Sequence, residues 1–156
     1  MLEQARQRTQ EFQTRLRDAK TDIALITDES SIAYLAGFWG YLSIEFGRPT
    51  FLIVRPGEAP VVITPAMESE MVSAMTWIDD VRTWEDSGPD RWENVLSRAL
   101  GDDVKEIGIE AAALPAIVRN WFQDQRPGTG LTNISGFLGA MRMVKSPEEI
   151  HVMRKA

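Results

Sequence analysis

The residue types best suited to ligand binding are gathered in one loop, between Gly37 and the strand that begins near Thr50. This loop carries Trp39, Tyr41, Phe46 and Arg48 within a short stretch of chain. Binding groups concentrate on loops that a rigid scaffold positions, and the planar guanidinium of arginine matches both oxygens of a carboxylate. The sequence therefore predicts that this loop binds a ligand, with the arginine as the group suited to a carboxylate.

The same residues also admit a purely structural interpretation. Large aromatic side chains in a glycine-flanked loop often cover the end of a hydrophobic core, and Arg48 would then be solvated. Glu45, three positions earlier, either pairs with Arg48 or faces solvent. Both interpretations stay open at this point.

The rest of the chain offers little catalytic chemistry. The sole histidine, His151, lies near the C-terminus and is interpreted as a surface residue, and Asp79-Asp80 as a solvated strand end. No glycine-rich nucleotide motif and no histidine or carboxylate spacing typical of a metal site occurs, and cysteine is absent. We expect residues 1–156 to catalyse nothing alone and to hold no metal or cofactor.

Composition narrows the class of protein further. With 44% hydrophobic and 26% charged residues, the chain is typical of one soluble globular domain. The net charge of −6 argues against a nucleic-acid partner. The charged N-terminus does not resemble a signal peptide, and no apolar run is long enough to span a membrane. We expect a cytoplasmic protein with no membrane association.

Hydrophobic periodicity predicts an alternation of strands and helices, interrupted by one hairpin. Such a pattern predicts a three-layer α/β/α domain around a mixed, mostly parallel sheet of about five or six strands. A helix after Pro65 is predicted to carry Met67, Met71, Ala74 and Met75 on one face. The predicted strands cover approximately residues 22–27, 50–55, 60–64, 77–84, 106–110 and 131–134.

A strong helix start lies close to the end of the chain. Ser146 is a suitable N-cap, Pro147 fits the first helical turn, and Glu149 completes an S-x-x-E capping box. Since the chain stops at Ala156 without a helix-terminating residue, we expect residues 1–144 to form a domain and 145–156 to begin a helix into a C-terminal domain. The alternative is a natural C-terminus with a frayed helix.

These motifs together resemble the N-terminal domain of the creatinase/prolidase/aminopeptidase P family, the pita-bread metallohydrolases. The resemblance covers essentially the whole chain. Its most specific parts are the string Tyr34-Leu-Ala-Gly-Phe38 and the string R-M-x-K-S-P-E-E-I from Arg142 to Ile150. It implies a creatinase N-terminal fold with a ribonuclease H-like motif.

The resemblance also implies a function. Such a domain is non-catalytic and belongs to a homodimeric hydrolase whose catalytic domain holds two divalent metal ions, manganese, cobalt or zinc. Its loop reaches the substrate site of the partner subunit, which would make Phe46, Arg48, Trp39 and Tyr41 substrate-binding residues. The most populous activity in the family is that of an Xaa-Pro dipeptidase or aminopeptidase, acting on small peptides.

Two alternatives remain at the level of sequence. Phe46-Gly47-Arg48-Pro49 resembles a creatinase segment whose Phe and Arg contact the substrate carboxylate, which favours a creatinase-like enzyme acting on a small carboxylate substrate. Phe46 would then be the apolar wall and Arg48 the carboxylate clamp. The second alternative is an inactive peptide- or protein-binding module, in which the aromatic loop is an interaction patch.

Overall fold

The computed structural model describes residues 2–40, 42 and 46–155, and in them helices and strands alternate as the sequence predicts. The helices are α1 (Leu2–Asp18), α2 (Glu29–Ala36), α3 (Ser69–Met75), α4 (Trp92–Leu100), α5 (Ala116–Gln125), α6 (Ser135–Met143) and α7 (Pro147–Met153). The strands are β1 (Ala24–Ile26), β2 (Phe51–Val54), β3 (Val61–Pro65), β4 (Asp80–Trp84), β5 (Glu106–Ile109) and β6 (Gly130–Asn133).

The strands form one mixed sheet in the order β4-β3-β2-β1-β5-β6. Strand β2 runs antiparallel to both of its neighbours, and the remaining pairs are parallel. The predicted hairpin joins β2 and β3, with Phe51 opposite Ile63, and Gly57 provides the positive φ of +80° in its turn. The predicted mixed sheet is therefore confirmed.

Two hydrophobic clusters cover the two faces of this sheet. Successive side chains of a strand point to opposite faces, so Ala24 and Ile26 pack under α1, α2 and α6, whereas Ile23 and Leu25 pack under α4 and α5. Phe12 in the first cluster and Phe122 in the second are almost completely buried. The result is the three-layer α/β/α arrangement that the sequence predicts.

The predicted helix boundaries have the expected physical causes. Asp28 caps α2 by accepting a hydrogen bond of 2.8 Å from the backbone N–H of Ser31, and Gly37 ends the helix at a φ of +87°. Both halves of the capping box at the start of α7 are present, between Ser146 and Glu149. Among the described residues, no helix is both long and apolar enough to cross a membrane.

The methionine face predicted after Pro65 is only partly present. Residues 66–68 form a 3-10 turn before α3, and Met67 lies in this turn with 70% of its surface exposed. Val72 is the buried residue of α3, and Met71 packs only at the edge of the core. Ala74 and Met75 are exposed as well, so the predicted methionine face is not the face that packs on the core, and the single-helix interpretation was wrong because residues 66–68 form a 3-10 turn.

Polar contacts hold the last helix, α7, against α1. The guanidinium of Arg8 forms an ion pair of 2.9 Å with Glu149 and lies 4.2 Å from the ring centre of Tyr34. Gln4 donates a hydrogen bond of 2.8 Å to the hydroxyl of Ser146. The capping residues of α7 thus themselves contact α1, and these contacts fix the start of α7 against α1.

Candidate ligand-binding loop

A buried carboxylate anchors the loop at its first end. Glu68, which is 2% exposed, accepts a hydrogen bond of 3.3 Å from the backbone N–H of Leu42 and one of 3.2 Å from the hydroxyl of Thr64. A Cβ atom on Gly40 would lie 3.6 Å from Glu68. The loop therefore passes directly over the end of β3.

An indole group anchors the other end. Trp84, the last residue of β4, is 4% exposed and donates a hydrogen bond of 2.9 Å from its ring nitrogen to the carbonyl of Pro49. The backbone N–H of Arg48 donates a hydrogen bond of 3.2 Å to the carbonyl of Leu42. The loop backbone is thus joined to itself between Leu42 and Arg48, and the adjacent Pro49 is fixed to the sheet through Trp84.

Arg48 extends from this anchored backbone towards the ends of β3 and β4. Its Nη2 atom donates to the carboxylate of Asp86, which follows β4, and its Nη1 atom lies 2.9 Å from the sulfur of Met67. The Arg48 side chain is 33% exposed, so it is still partly in contact with solvent. It is therefore a positioned cation rather than a freely solvated one.

Phe46 and Arg48 line the same hollow, of about 260 Å³, above the end of β4. Its other lining residues include the aromatic Trp84 and Trp92, a second arginine, Arg91, and two carboxylates, Glu85 and Asp86. Arg91 is engaged by Glu93 through bonds of 3.3 and 2.8 Å, and this neighbour raises the pKa of the Arg91 guanidinium. The hollow thus combines aromatic walls with charges of both signs, and Arg48 is the group in it that suits the carboxylate of a small, partly apolar ligand.

The structure brings together only part of the predicted site. Phe46 lines the hollow and is 63% exposed. Trp39 is 53% exposed but, among the described residues, is not one of those that line the hollow. Tyr41 and Glu45 lie outside the described residues.

Several residues that shape the site were not identified from sequence. Asp86 lies in an Asp-Ser-Gly-Pro stretch that has the composition of any solvated turn, and Glu68 follows a proline at an apparently ordinary helix start. Trp84 was identified only as a strand residue. A possible signal was that Glu68 lies four residues after Thr64, but only the sheet order shows that both face the loop.

A second polar pair lies where β1 and β5 end, far along the sheet from β4. Ser31 donates a hydrogen bond of 2.9 Å to one carboxylate oxygen of Glu110, and the other oxygen is buried with no hydrogen-bond partner among the described residues. Burial raises the pKa of Glu110, and the negative charge of Asp28 acts in the same direction. The bond from Ser31 and the charge of Arg142 only partly oppose this rise.

The described residues do not form a metal site. No group of three or more His, Cys, Asp or Glu side chains in residues 2–40, 42 and 46–155 is placed to hold a metal ion, and His151 is exposed on α7. The donor set of the described residues therefore does not fit the two metal ions that the family resemblance implies.

The fold and the candidate site define a class of protein. It is a three-layer α/β domain with an anchored, arginine-bearing loop at one end of its sheet. Comparison with known proteins identifies the family: the family model described as "Creatinase/Prolidase N-terminal domain" matches residues 8–144. The chain belongs to this family.

Relatives and solved structures agree with this assignment. The chain is 30% identical over 144 residues to an Xaa-Pro dipeptidase of Lactobacillus helveticus. The matched region covers 90% of this chain but only 38% of that relative. A proline dipeptidase structure from Streptococcus pneumoniae is 25% identical, with a TM-score of 0.75 over 88% of this chain and 98% of that one. A prolidase from Thermococcus sibiricus shares the fold, with a TM-score of 0.80, 22% identity and coverage of 96% and 40%.

Proposed function

We propose that this chain is the non-catalytic N-terminal domain of a metal-dependent hydrolase that cleaves Xaa-Pro dipeptides. Support comes from the family membership and from the similarity to a protein named Xaa-Pro dipeptidase, of which this chain spans 38%. In this proposal residues 1–144 are the domain, residues 145–156 begin the connection to the catalytic domain, and the two metal ions are bound there.

The proposal gives the loop a role in substrate binding. Arg48 binds the carboxylate of the substrate, and Phe46 and Trp39, with Tyr41, form apolar walls in the active site of the partner subunit of a homodimer. The observation that carries this role is the placement of Arg48, which is held at the rim of a hollow beside the exposed ring of Phe46. A cytoplasmic location belongs to the same proposal, and the cysteine-free sequence favours it.

A creatinase-like activity is the second candidate. The segment Phe46-Gly47-Arg48-Pro49 favours it, because an arginine with one apolar neighbour is sufficient for a small carboxylate such as creatine. The third candidate, a binding module without activity, draws on the exposure of Trp39 and Phe46, which are 53% and 63% exposed.

The test uses the full-length protein that contains this domain, loaded with manganese, cobalt or zinc. We expect hydrolysis of Xaa-Pro dipeptides and not of creatine, and we expect Arg48→Ala to raise KM at least tenfold because the charge-assisted bond to the carboxylate is lost. Arg98→Ala is the matched control, since Arg98 is also paired with a carboxylate, that of Asp90, but does not line the hollow.

Each outcome selects one candidate. Turnover of creatine alone would replace the dipeptidase proposal by the creatinase-like one. A folded, metal-loaded protein that hydrolyses neither substrate would leave the binding module. An Arg48→Ala enzyme with unchanged kcat/KM for dipeptides would remove the carboxylate role of Arg48 but leave the activity in place.

A further inference from the structure

The carboxylate that holds Arg48 is presented by a braced loop. Asp86 lies between β4 and α4, and the loop is closed at its base by a hydrogen bond of 2.8 Å from the backbone N–H of Glu85 to the carbonyl of Asp90. Asn94 of α4 donates a bond of 3.0 Å to the carbonyl of Pro89. The position of Asp86 is therefore set by the sheet and by α4.

The two partners of the Arg48 guanidinium differ greatly in strength. The bond to Asp86 joins opposite charges, whereas the contact with Met67 involves a thioether, which is a weak acceptor. Asp86 therefore provides the main electrostatic partner of Arg48 in the described structure. It occupies the guanidinium in the way that the carboxylate of a ligand would.

The ion pair lies where it can be exchanged. The side chains of Asp86 and Arg48 are 61% and 33% exposed, so water competes for both charges and the pair is weak. The pair also borders the hollow that is lined by Phe46. A carboxylate that enters the hollow could take over the bond without leaving a buried, unpaired charge behind.

We propose that Asp86 is an internal competitor for the carboxylate-binding group of Arg48. In this inference, which rests on the proposed function, a substrate carboxylate replaces Asp86 on the guanidinium, and Asp86 returns when the carboxylate product leaves. Asp86 thereby sets the affinity of the site for carboxylates. It is a specificity-determining residue and takes no part in bond cleavage.

The test compares Asp86→Asn with the wild type in the full-length, metal-loaded enzyme. Removing the competing charge should lower KM for an Xaa-Pro dipeptide by about two- to fivefold, the range expected for losing one exposed ion pair, and should leave kcat unchanged. KM for the corresponding Xaa-prolinamide should stay the same, because an amide does not displace Asp86. Asp86→Glu, which keeps the charge, should restore a KM close to that of the wild type.

Two further variants separate the ion pair from a general charge effect. Asp90→Asn removes the same charge from the same loop, at a residue that pairs with Arg98 and does not line the hollow, and should leave KM unchanged. Asp86→Asn should have no effect in an Arg48→Ala background. An unchanged or raised KM in Asp86→Asn, or an equal decrease in Asp90→Asn or with the amide substrate, would overturn the inference.

This design distinguishes the two proposals. If the wild type hydrolyses dipeptides and Arg48→Ala raises KM, the proposed function stands. The KM of Asp86→Asn then decides only whether Asp86 competes with the substrate carboxylate. If creatine is the substrate, its carboxylate serves in the same comparison. A wild type that hydrolyses neither substrate overturns the proposed function, and the competitor role with it.

Discussion

The ring nitrogen of Trp84 lies 2.9 Å from the carbonyl oxygen of Pro49, and this hydrogen bond fixes the arginine-bearing loop to the end of β4. Both groups are buried, so the bond is protected from water. The position of Arg48, one residue before Pro49, thus depends on a strand that begins more than thirty residues later in the sequence.

Replacing Trp84 with phenylalanine should therefore destabilise the domain. The ring cluster would keep an aromatic side chain, but the carbonyl of Pro49 would lose its buried donor, which costs about 1–3 kcal/mol and lowers Tm by roughly 2–4 °C per kcal/mol in a domain of this size. Thermal unfolding measures the change. Trp92→Phe, in the same cluster, leaves the bond to Pro49 intact and should cost less; equal losses in the two variants would contradict the role of that bond.

Glu68 should protect the first end of the loop. Glu68→Ala removes the acceptor of the Leu42 amide and should accelerate hydrogen exchange of that amide by about fivefold or more, since a lost buried bond is worth about 1–3 kcal/mol. Glu68→Gln retains an acceptor of the same shape and should exchange more slowly than the alanine variant. Exchange at Leu42 that is the same in the wild type and Glu68→Ala would show that Glu68 does not hold the loop.

Glu110 should make the stability of the domain depend on pH. Burial raises the pKa of Glu110 in the folded chain above its ordinary value of 4.5, so the folded state holds the proton more tightly than the unfolded state. This contribution to stability is fully present below the ordinary value and is lost as the pH rises through the higher, folded pKa.

A glutamine at this position stays neutral and should therefore avoid that loss. We expect Glu110→Gln to be close to the wild type in Tm near pH 4 and more stable than the wild type near pH 7. Glu70→Gln, at an exposed position of α3, is the control and should show no such trend. A difference between Glu110→Gln and the wild type that stays constant from pH 4 to pH 7 would exclude a raised pKa.

Arg8 should hold the last helix in place. Arg8→Ala removes both the ion pair with Glu149 and the stacking on Tyr34, which together contribute on the order of 1 kcal/mol, so amides of α7 should exchange about fivefold faster. Arg15→Ala is a matched control, because its ion pair with Glu11 stays within α1. Protection of α7 that is the same in both variants would mean that α7 is held by other contacts.

The fold was largely predictable because its signals are local. Short continuous apolar runs mark the central strands, Gly37 and Asp28 mark the ends of α2, and the Ser146 capping box acts within four residues. Each of these depends on backbone geometry and on side chains that are close in sequence. The exception, Met67, lies where a 3-10 turn changes the helical period, and residue spacing does not reveal such a turn.

The sequence by itself determined the α/β architecture, the family resemblance and the choice of Phe46 and Arg48 as candidate binding residues. Only the tertiary structure decided what surrounds Arg48. Met67 follows β3 and Asp86 follows β4, and both reach Arg48 because these two strands pair in parallel and end side by side. Hydrophobic patterning specifies which face of a strand is buried, but not which strand lies beside it. The partners of a charged side chain at the sheet edge therefore follow from strand order, which the sequence pattern alone does not contain.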